Sequence, residues 1–288
     1  MDEYYDALET QDPAVREENL FASLAAQLRH AKDHSKAYSA LLDGFDIESV
    51  NDWSALTRLP LTRKSEIAKS QADLPPLGGY STPALAGFYN IFASPGGIFE
   101  PGGMRDDYWN FARCLYAAGI RQGDLIHNTF SYHFTPAGQM VESAARAIGC
   151  PVFPGGIAQT ELQVQVMAQL KPRAYCGTPS FLKVILDKAA DMGIQIHGLE
   201  VGLVGGEALP GSLRDELSER GVEVLQSYGT ADLGLIAYES TAREGMILTE
   251  EVIVEIVAPG TGEPVADGEI GEIVVTTLSP EYPLIRFA

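Results

Sequence analysis

Residues 226–234 read QSYGTADLG and set a Tyr, a Gly, a Thr and a lone acid just beyond the strand-like run GVEVL. Open α/β sheets bind ligands outside the carboxyl ends of their strands, so these residue types have chemistry available there. The Tyr228 ring can stack on a planar group. Thr230 can bond a phosphate oxygen, and the Asp232 carboxylate suits magnesium, which prefers carboxylate and phosphate oxygens. The plainer reading is a turn in which Thr230 and Asp232 satisfy local backbone groups.

Three further stretches raise the same choice. In LVGGEALP (203–210) Gly205 and Gly206 end a buried run, and Glu207 is expected to point into a ligand crevice. The alternative is a βα turn whose acid favours the next helix N-terminus. In FSYHFTP (130–136) His133 stands among aromatics, able to contact a carboxylate or line a ring-shaped pocket; a lone His is more often structural. In ASPGGIFEPGG (93–103) paired glycines would let backbone N–H groups approach a phosphate. Gly97 and Gly102 are spaced like half of a Walker loop, but Gly103 and Met104 stand where its Lys and Ser/Thr should follow. A hairpin turn is the simpler account. With no GxGxxG and no GxSxG, the dinucleotide fingerprint and the α/β-hydrolase nucleophile are excluded.

The elements that must position these stretches are legible in outline. Residues 1–75 read as helical, with Leu20, Leu24 and Leu28 near helical spacing and Thr62, Ser65 and Glu66 opening a short helix. GFYNIFAS and IFEPGG read as a strand and a returning strand. RDDYWNFARCLYAAGI reads as a helix from Asp106 or Asp107 to Gly119. Then strands (DLIHNTF, PVFPGG, AYCGTP, LEVGLVGGE, VEVLQSYGT) alternate with helical runs, which implies βαβ units and a mainly parallel sheet over residues 76–245. From Met246 the pattern becomes strand and turn, an antiparallel β subdomain over 246–288. PLIRFA ends the chain in a strand-like run, which reads as a large domain cut short.

The 288 residues are 45% apolar, ample for a substantial core. No run approaches the roughly eighteen apolar residues of a membrane helix, and the acidic N-terminus lacks a secretion-signal layout, so a cytoplasmic protein is expected. A formal charge of −19 disfavours nucleic acid and anionic membrane as partners. Cys114, Cys150 and Cys176 lie far apart in sequence with no zinc-ligand spacing and read as small buried residues.

Six segments, in this order, resemble the adenylate-forming enzymes and, within them, the phenylacetate–coenzyme A ligases: SYHFTPAGQM…AARAIGCPVFPGG, LKPRAYCGTPSFL, GLVGGEALP, SYGTADLG, TGEPVADGEIGEIVVTTL and YPLIRF. The match runs from about residue 55 to the end. The resemblance implies the large N-terminal domain of that fold, mainly parallel sheets flanked by helices with an antiparallel β subdomain. It implies that a small, aromatic carboxylic acid is activated with ATP and Mg2+ to an acyl-adenylate and passed to coenzyme A. By resemblance Gly206, Glu207 and Ala208 line the adenine, Tyr228 flanks its ring, and Gly229 and Thr230 approach the phosphates with Ser94 and Gly96 of the phosphate loop. Asp232 stands at the magnesium-binding acid, and Tyr132, His133 and Phe134 at part of the acyl pocket. His133, Thr230 and Asp232 are the implied catalytic group. The resemblance also allows a homodimer, and it places a ribose-binding Asp, a hinge and a Lys-bearing small domain beyond Ala288.

The phosphate loop departs from the family pattern. Ser94, Gly96 and Pro101 are kept, but Gly97 and Ile98 replace two hydroxyl residues, Phe99 a Gly, and Glu100 the Lys. Ala231 stands where a hydroxyl residue is usual. Two functions are therefore carried forward: an acid–thiol ligase core, and a catalytically degenerate nucleotide- or acyl-binding module on the same fold.

Overall fold

The computed structural model describes residues 4–94 and 97–288. Its contacts cluster into two compact units, one of Asp6–Met104 with Glu250–Ala288, the other built on Arg105–Thr249.

The first unit opens with helices α1 (Pro13–His34), α2 (Lys36–Leu41), α3 (Trp53–Leu56) and α4 (Lys64–Asp73) and the hairpin β1 (Phe88–Ser94) and β2 (Ile98–Gly103). Asp12 caps α1 by accepting from the Ala14 N–H, with Pro13 at the first helical position, where no amide donor is needed. Phe21, Leu24, Leu28 and Ala31 face inward at three- and four-residue spacing, so Phe21 rather than Leu20 opens the buried stripe. At α4 the Glu66 carboxylate accepts the Arg63 amide at 3.1 Å, half of a capping box, so the helix expected to open at Thr62 is capped one residue later, at Arg63.

The second unit runs α5 (Ala112–Ala117), β3 (Ile126–Asn128), α6 (Ala137–Ala147), β4 (Val152–Pro154), α7 (Thr160–Leu170), β5 (Ala174–Gly177), α8 (Pro179–Asp191), β6 (Val201–Val204), α9 (Gly211–Glu219), β7 (Glu223–Thr230), β8 (Gly234–Glu239) and β9 (Met246–Leu248). β10 (Val252–Val257) and β11 (Glu272–Thr277) then form an antiparallel pair in the first unit.

The strand order of the main sheet is β4-β3-β5-β6-β7-β8-β9, parallel as far as β7. The α/β expectation, a mainly parallel sheet with helices and a separate antiparallel pair, is borne out. The chain leaves β3 toward β4 and then returns to β5 on the other side of β3. That is a topological switch point, where such sheets open a crevice at their carboxyl ends. Helices α7, α8 and α9 cover the sheet through Val164, Met167, Leu182, Ile185 and Leu217, packed on Tyr175, Val204 and Val224. Burying each aliphatic side chain contributes roughly 1.5–3 kcal/mol, which fixes the strand ends that carry the loops.

Two elements differ from the sequence expectation. The helix expected from Asp106 or Asp107 begins only at Ala112, because Asp107 and Asn110 take left-handed φ angles of 52° and 62°. Strand β8 has no counterpart in the sequence reading; all six of its residues are buried, so it lacks the alternation that marks a half-exposed strand.

Candidate functional site

A cleft of about 110 Å³ opens where the loop after β3, the loop after β6 and the end of β7 meet. Phe130, Thr135 and Pro136 come from the first of these, with Ala137, Met140 and Val141 of α6. Gly205 and Gly206 come from the second, and Ser227, Gly229, Thr230 and Ala231 from the third; Phe111 closes one side. These lining residues, all within one unit, carry no charge. A cleft of this make-up takes an apolar or planar body and offers hydroxyls and backbone groups at its rim.

Of the residues singled out from the sequence, Gly206, Gly229 and Thr230 line this cleft together. The QSYGTADLG stretch is not a plain loop: β7 runs through Thr230 and turns at Ala231–Leu233 into antiparallel β8. Gly229 sits at an irregularity in that pairing, and a Cβ there would lie 2.5 Å from the Gly234 carbonyl, so only glycine fits. Thr230 Oγ1 donates to Asp232 Oδ1 and accepts the Leu233 amide at 3.2 Å. Hydroxyl and carboxylate are thus held together at the cleft edge, half-buried. Tyr228 is 39% exposed, its ring open to stacking.

Glu207 and Ala208 are exposed just past the lining glycines. Glu207 Oε1 accepts the Ser180 amide at 2.7 Å, in the first turn of α8. The acid does serve a helix N-terminus, but that of α8 rather than of α9, the next helix in the chain.

Tyr132 lies beneath its loop. Its hydroxyl donates to Glu142 Oε1 and accepts from Asn128 Nδ2, both at 2.8 Å. Burial, reinforced by the Glu142 carboxylate, pushes this phenol well above its ordinary range, so it is a neutral donor. Asn128 also donates to the Gly138 carbonyl and accepts the Phe130 amide, tying both ends of the loop to β3. His133 and Phe134 are exposed; Phe134 is 80% exposed with φ 62°, a conformation that costs a bulky residue energy.

Ser94 lies at the end of β1 in the other unit, 8% exposed, and its hydroxyl donates to Glu100 Oε1 across the hairpin. Glu100 is 1% exposed and turned inward, so the acid in the phosphate-loop segment is not displayed to solvent. Gly96 lies outside the described residues.

Phe111, Met140 and Val141 were not singled out from the sequence, since a core position and a cleft wall carry the same apolar signal. Phe130, Thr135 and Pro136 stand within FSYHFTP, and Ser227 within QSYGTADLG, so those motifs located the lining more closely than they identified its members.

A family model described as AMP-binding enzyme matches residues 109–279. The phenylacetate-coenzyme A ligase of Aromatoleum evansii is 30% identical over 277 residues, which are 90% of this chain and 62% of that protein. The phenylacetate-coenzyme A ligase of Pseudomonas putida is 28% identical over 299 residues, 98% of this chain and 67% of that protein. The chain thus spans about two thirds of the length of these relatives. Among solved structures, an open conformation of 2-hydroxyisobutyryl-CoA ligase in complex with 2-HIB-AMP and CoA superposes with a TM-score of 0.88 at 22% identity, covering 95% of this chain and 64% of that one. An anthranilate CoA ligase in complex with anthranoyl-AMP gives a TM-score of 0.52 at 20% identity over 68% of this chain and 39% of that one. Both likenesses are of fold.

Proposed function

This chain belongs to the AMP-binding enzyme family, and on that premise we propose that it carries the nucleotide- and acid-binding core of an AMP-forming acid–thiol ligase. One observation carries the reading: Gly206, Gly229 and Thr230 converge on a single uncharged cleft at the carboxyl ends of the parallel strands. In the proposed reaction a carboxylate oxygen of a small aromatic acid attacks the α-phosphorus of ATP. The bond to the β-phosphate breaks and pyrophosphate leaves. The thiol of coenzyme A then attacks the acyl carbon and AMP leaves.

The residues have assignable parts. The backbone at Gly206 to Ala208 would flank the adenine, with the Tyr228 ring against its face. The amides near Gly229 would meet phosphate oxygens, and the Thr230 hydroxyl would join them by turning its one proton away from Asp232, placing donors where charge accumulates. Asp232 and Thr230 form an oxygen-only donor pair, which suits magnesium sharing its shell with phosphate. That ion, when bound, would offset the triphosphate charge that otherwise repels the acid. The apolar wall of Phe111, Phe130 and Met140 would take the acid's ring. His133 would act with Thr230 and Asp232 at the reacting groups, and Tyr132 and Phe134 would shape the acyl pocket through their loop. Ser94 and Gly96 would serve the phosphate loop. A homodimer and a cytoplasmic location, with no nucleic acid partner, complete the proposal; among the described residues no helix is long and apolar enough to cross a membrane.

Calorimetry with ATP, Mg2+ and an aromatic carboxylic acid tests it. Nucleotide binding that weakens in Tyr228→Ala and Asp232→Ala is expected; a wild type that takes up neither ATP nor AMP would sink the reading.

A second reading, a binding module without adenylation, draws on the phosphate-loop segment, where the Ser94 hydroxyl is spent on a buried Glu100. It expects AMP binding without acid-dependent pyrophosphate release, measured on the longest form of the protein that the gene encodes.

A further inference from the structure

The two cleft-lining segments around Gly206 and Gly229 are held to one another by a polar network behind the cleft. Gln226, one residue before Ser227, is its centre. Its Oε1 accepts the Leu209 amide at 3.1 Å, at the end of the loop that carries Gly205 and Gly206. Its Nε2 donates to Glu239 Oε1 at 3.1 Å, and its backbone amide donates to Glu239 Oε2 at 2.8 Å. Glu239, on β8 and 8% exposed, is held in turn by Arg214 of α9, whose Nη2 lies 2.8 and 2.9 Å from its two oxygens. Arg214 Nη1 donates to the Val224 carbonyl on β7 at 2.8 Å.

The spacing this network holds is tight. A Cβ on Gly205 would lie 2.8 Å from Ser227 Oγ and 2.9 Å from the Ser227 carbonyl, so the two segments touch backbone to backbone. Parallel pairing of β6 with β7 ends at Val204 and Gln226, leaving the loop beyond it without ladder bonds to β7. A side-chain amide that reaches Leu209 takes over where the ladder stops. A purely structural ion pair of Arg214 with Glu239 would not need Gln226; here the glutamine fills both a carboxylate contact and a loop contact.

We propose that Gln226, oriented by Glu239 and Arg214, is a positioning residue that sets the distance between the Gly205–Ala208 loop and the Ser227–Thr230 segment. The network acts on the nucleotide through those segments and touches no reacting atom. This rests on the nucleotide-binding reading of the cleft.

The test uses the full chain with AMP as the probe, hydrogen exchange at the Leu209 amide, and thermal melting. Gln226→Leu is expected to speed Leu209 exchange at least tenfold and to weaken AMP binding about tenfold. Gln226→Glu combined with Glu239→Gln reverses the direction of the side-chain bond and keeps an acceptor for Leu209 at the loss of one Arg214 contact, and is expected to restore both in part. Met167→Ala, a core truncation on α7 in the same unit, is expected to lower the melting temperature at least as much while leaving AMP affinity in place. Unchanged Leu209 exchange in Gln226→Leu overturns the positioning role, as does AMP affinity that simply follows melting temperature across the three variants. A wild type that binds no AMP overturns the nucleotide reading instead, and the exchange measurement tells the two failures apart.

Discussion

Arg286 and Glu255 form a two-pronged ion pair deep in the first unit, with Nε and Nη2 donating to the two carboxylate oxygens at 3.0 and 2.9 Å. The remaining guanidinium donors reach the carbonyls of Thr57, Leu59 and Gly262, and Arg286 is 2% exposed. One side chain thus joins the loop after α3, strand β10 and the turn beyond it. Truncating one partner leaves the other charge buried without compensation, which costs about 3–5 kcal/mol. Arg286→Met is expected to lower the unfolding free energy from urea titration by that amount, and Arg286→Met with Glu255→Leu to recover part of the loss. Equal and additive losses from the two single changes would contradict a coupled pair.

Asp107 gives the stability of the second unit a pH dependence. Its carboxylate accepts the Ala112 amide at 2.9 Å, but burial, only partly offset by that bond and by Arg105, raises its pKa from 3.8 to about 6. The folded state therefore binds the proton more tightly than the unfolded chain. The contribution of Asp107 is fully present below pH 3.8 and is lost as pH rises through about 6. At neutral pH the ionised group costs on the order of 3 kcal/mol. Asn keeps the acceptor and tolerates the left-handed φ, so Asp107→Asn should gain stability at pH 7.5, with the gain vanishing near pH 4. Urea titrations across that range check it; a difference that does not vary with pH would refute it.

These two pairs also show what the sequence could and could not convey. The alternation of strands and helices was legible because each helical run carries its own apolar stripe and each strand ends in turn residues, as at Gly177–Thr178 and Gly205–Gly206. Placing QSYGTADLG and LVGGEALP at strand ends needed only that local pattern. Strand β8 was not legible, since GLIAYE is buried on both faces and shows no period. Nor was the partner of Glu207, because a bond to Ser180 spans 27 positions and no local rule specifies it. The inward turn of Glu100 depends on the register of β2 against β1, which places Glu100 opposite Phe92. The joining of residues 6–104 with 250–288 is likewise long-range.

Glu207 can be separated from the ligand by the helix it caps. A carboxylate on the Ser180 amide satisfies an otherwise unpaired donor and favours the positive end of α8, together worth roughly 0.5–1 kcal/mol. Glu207→Ala should lower the melting temperature by a few degrees, and Glu207→Gln should restore about half of that by keeping the acceptor. Scanning calorimetry of the two variants measures it. If Ala and Gln melt alike, the hydrogen bond contributes nothing and only the charge acts.

Asp232 is where stability and ligand chemistry can be told apart most sharply. Its Oδ1 takes the Thr230 hydroxyl, so removing the carboxylate frees that hydroxyl and deletes the proposed metal ligand at once. The hydroxyl still accepts the Leu233 amide, and the β7–β8 turn should hold, with a melting shift of a few degrees at most. AMP, which brings only one phosphate, should bind Asp232→Ala within about threefold of the wild type, whereas ATP with Mg2+ should weaken at least tenfold, about 1.4 kcal/mol. Asp232→Glu, one methylene longer, retains the ligand type and should keep the magnesium dependence. Parallel titrations of AMP and of ATP with and without Mg2+ separate these cases. Equal weakening of both nucleotides would mean that Asp232 supports the turn and holds no metal.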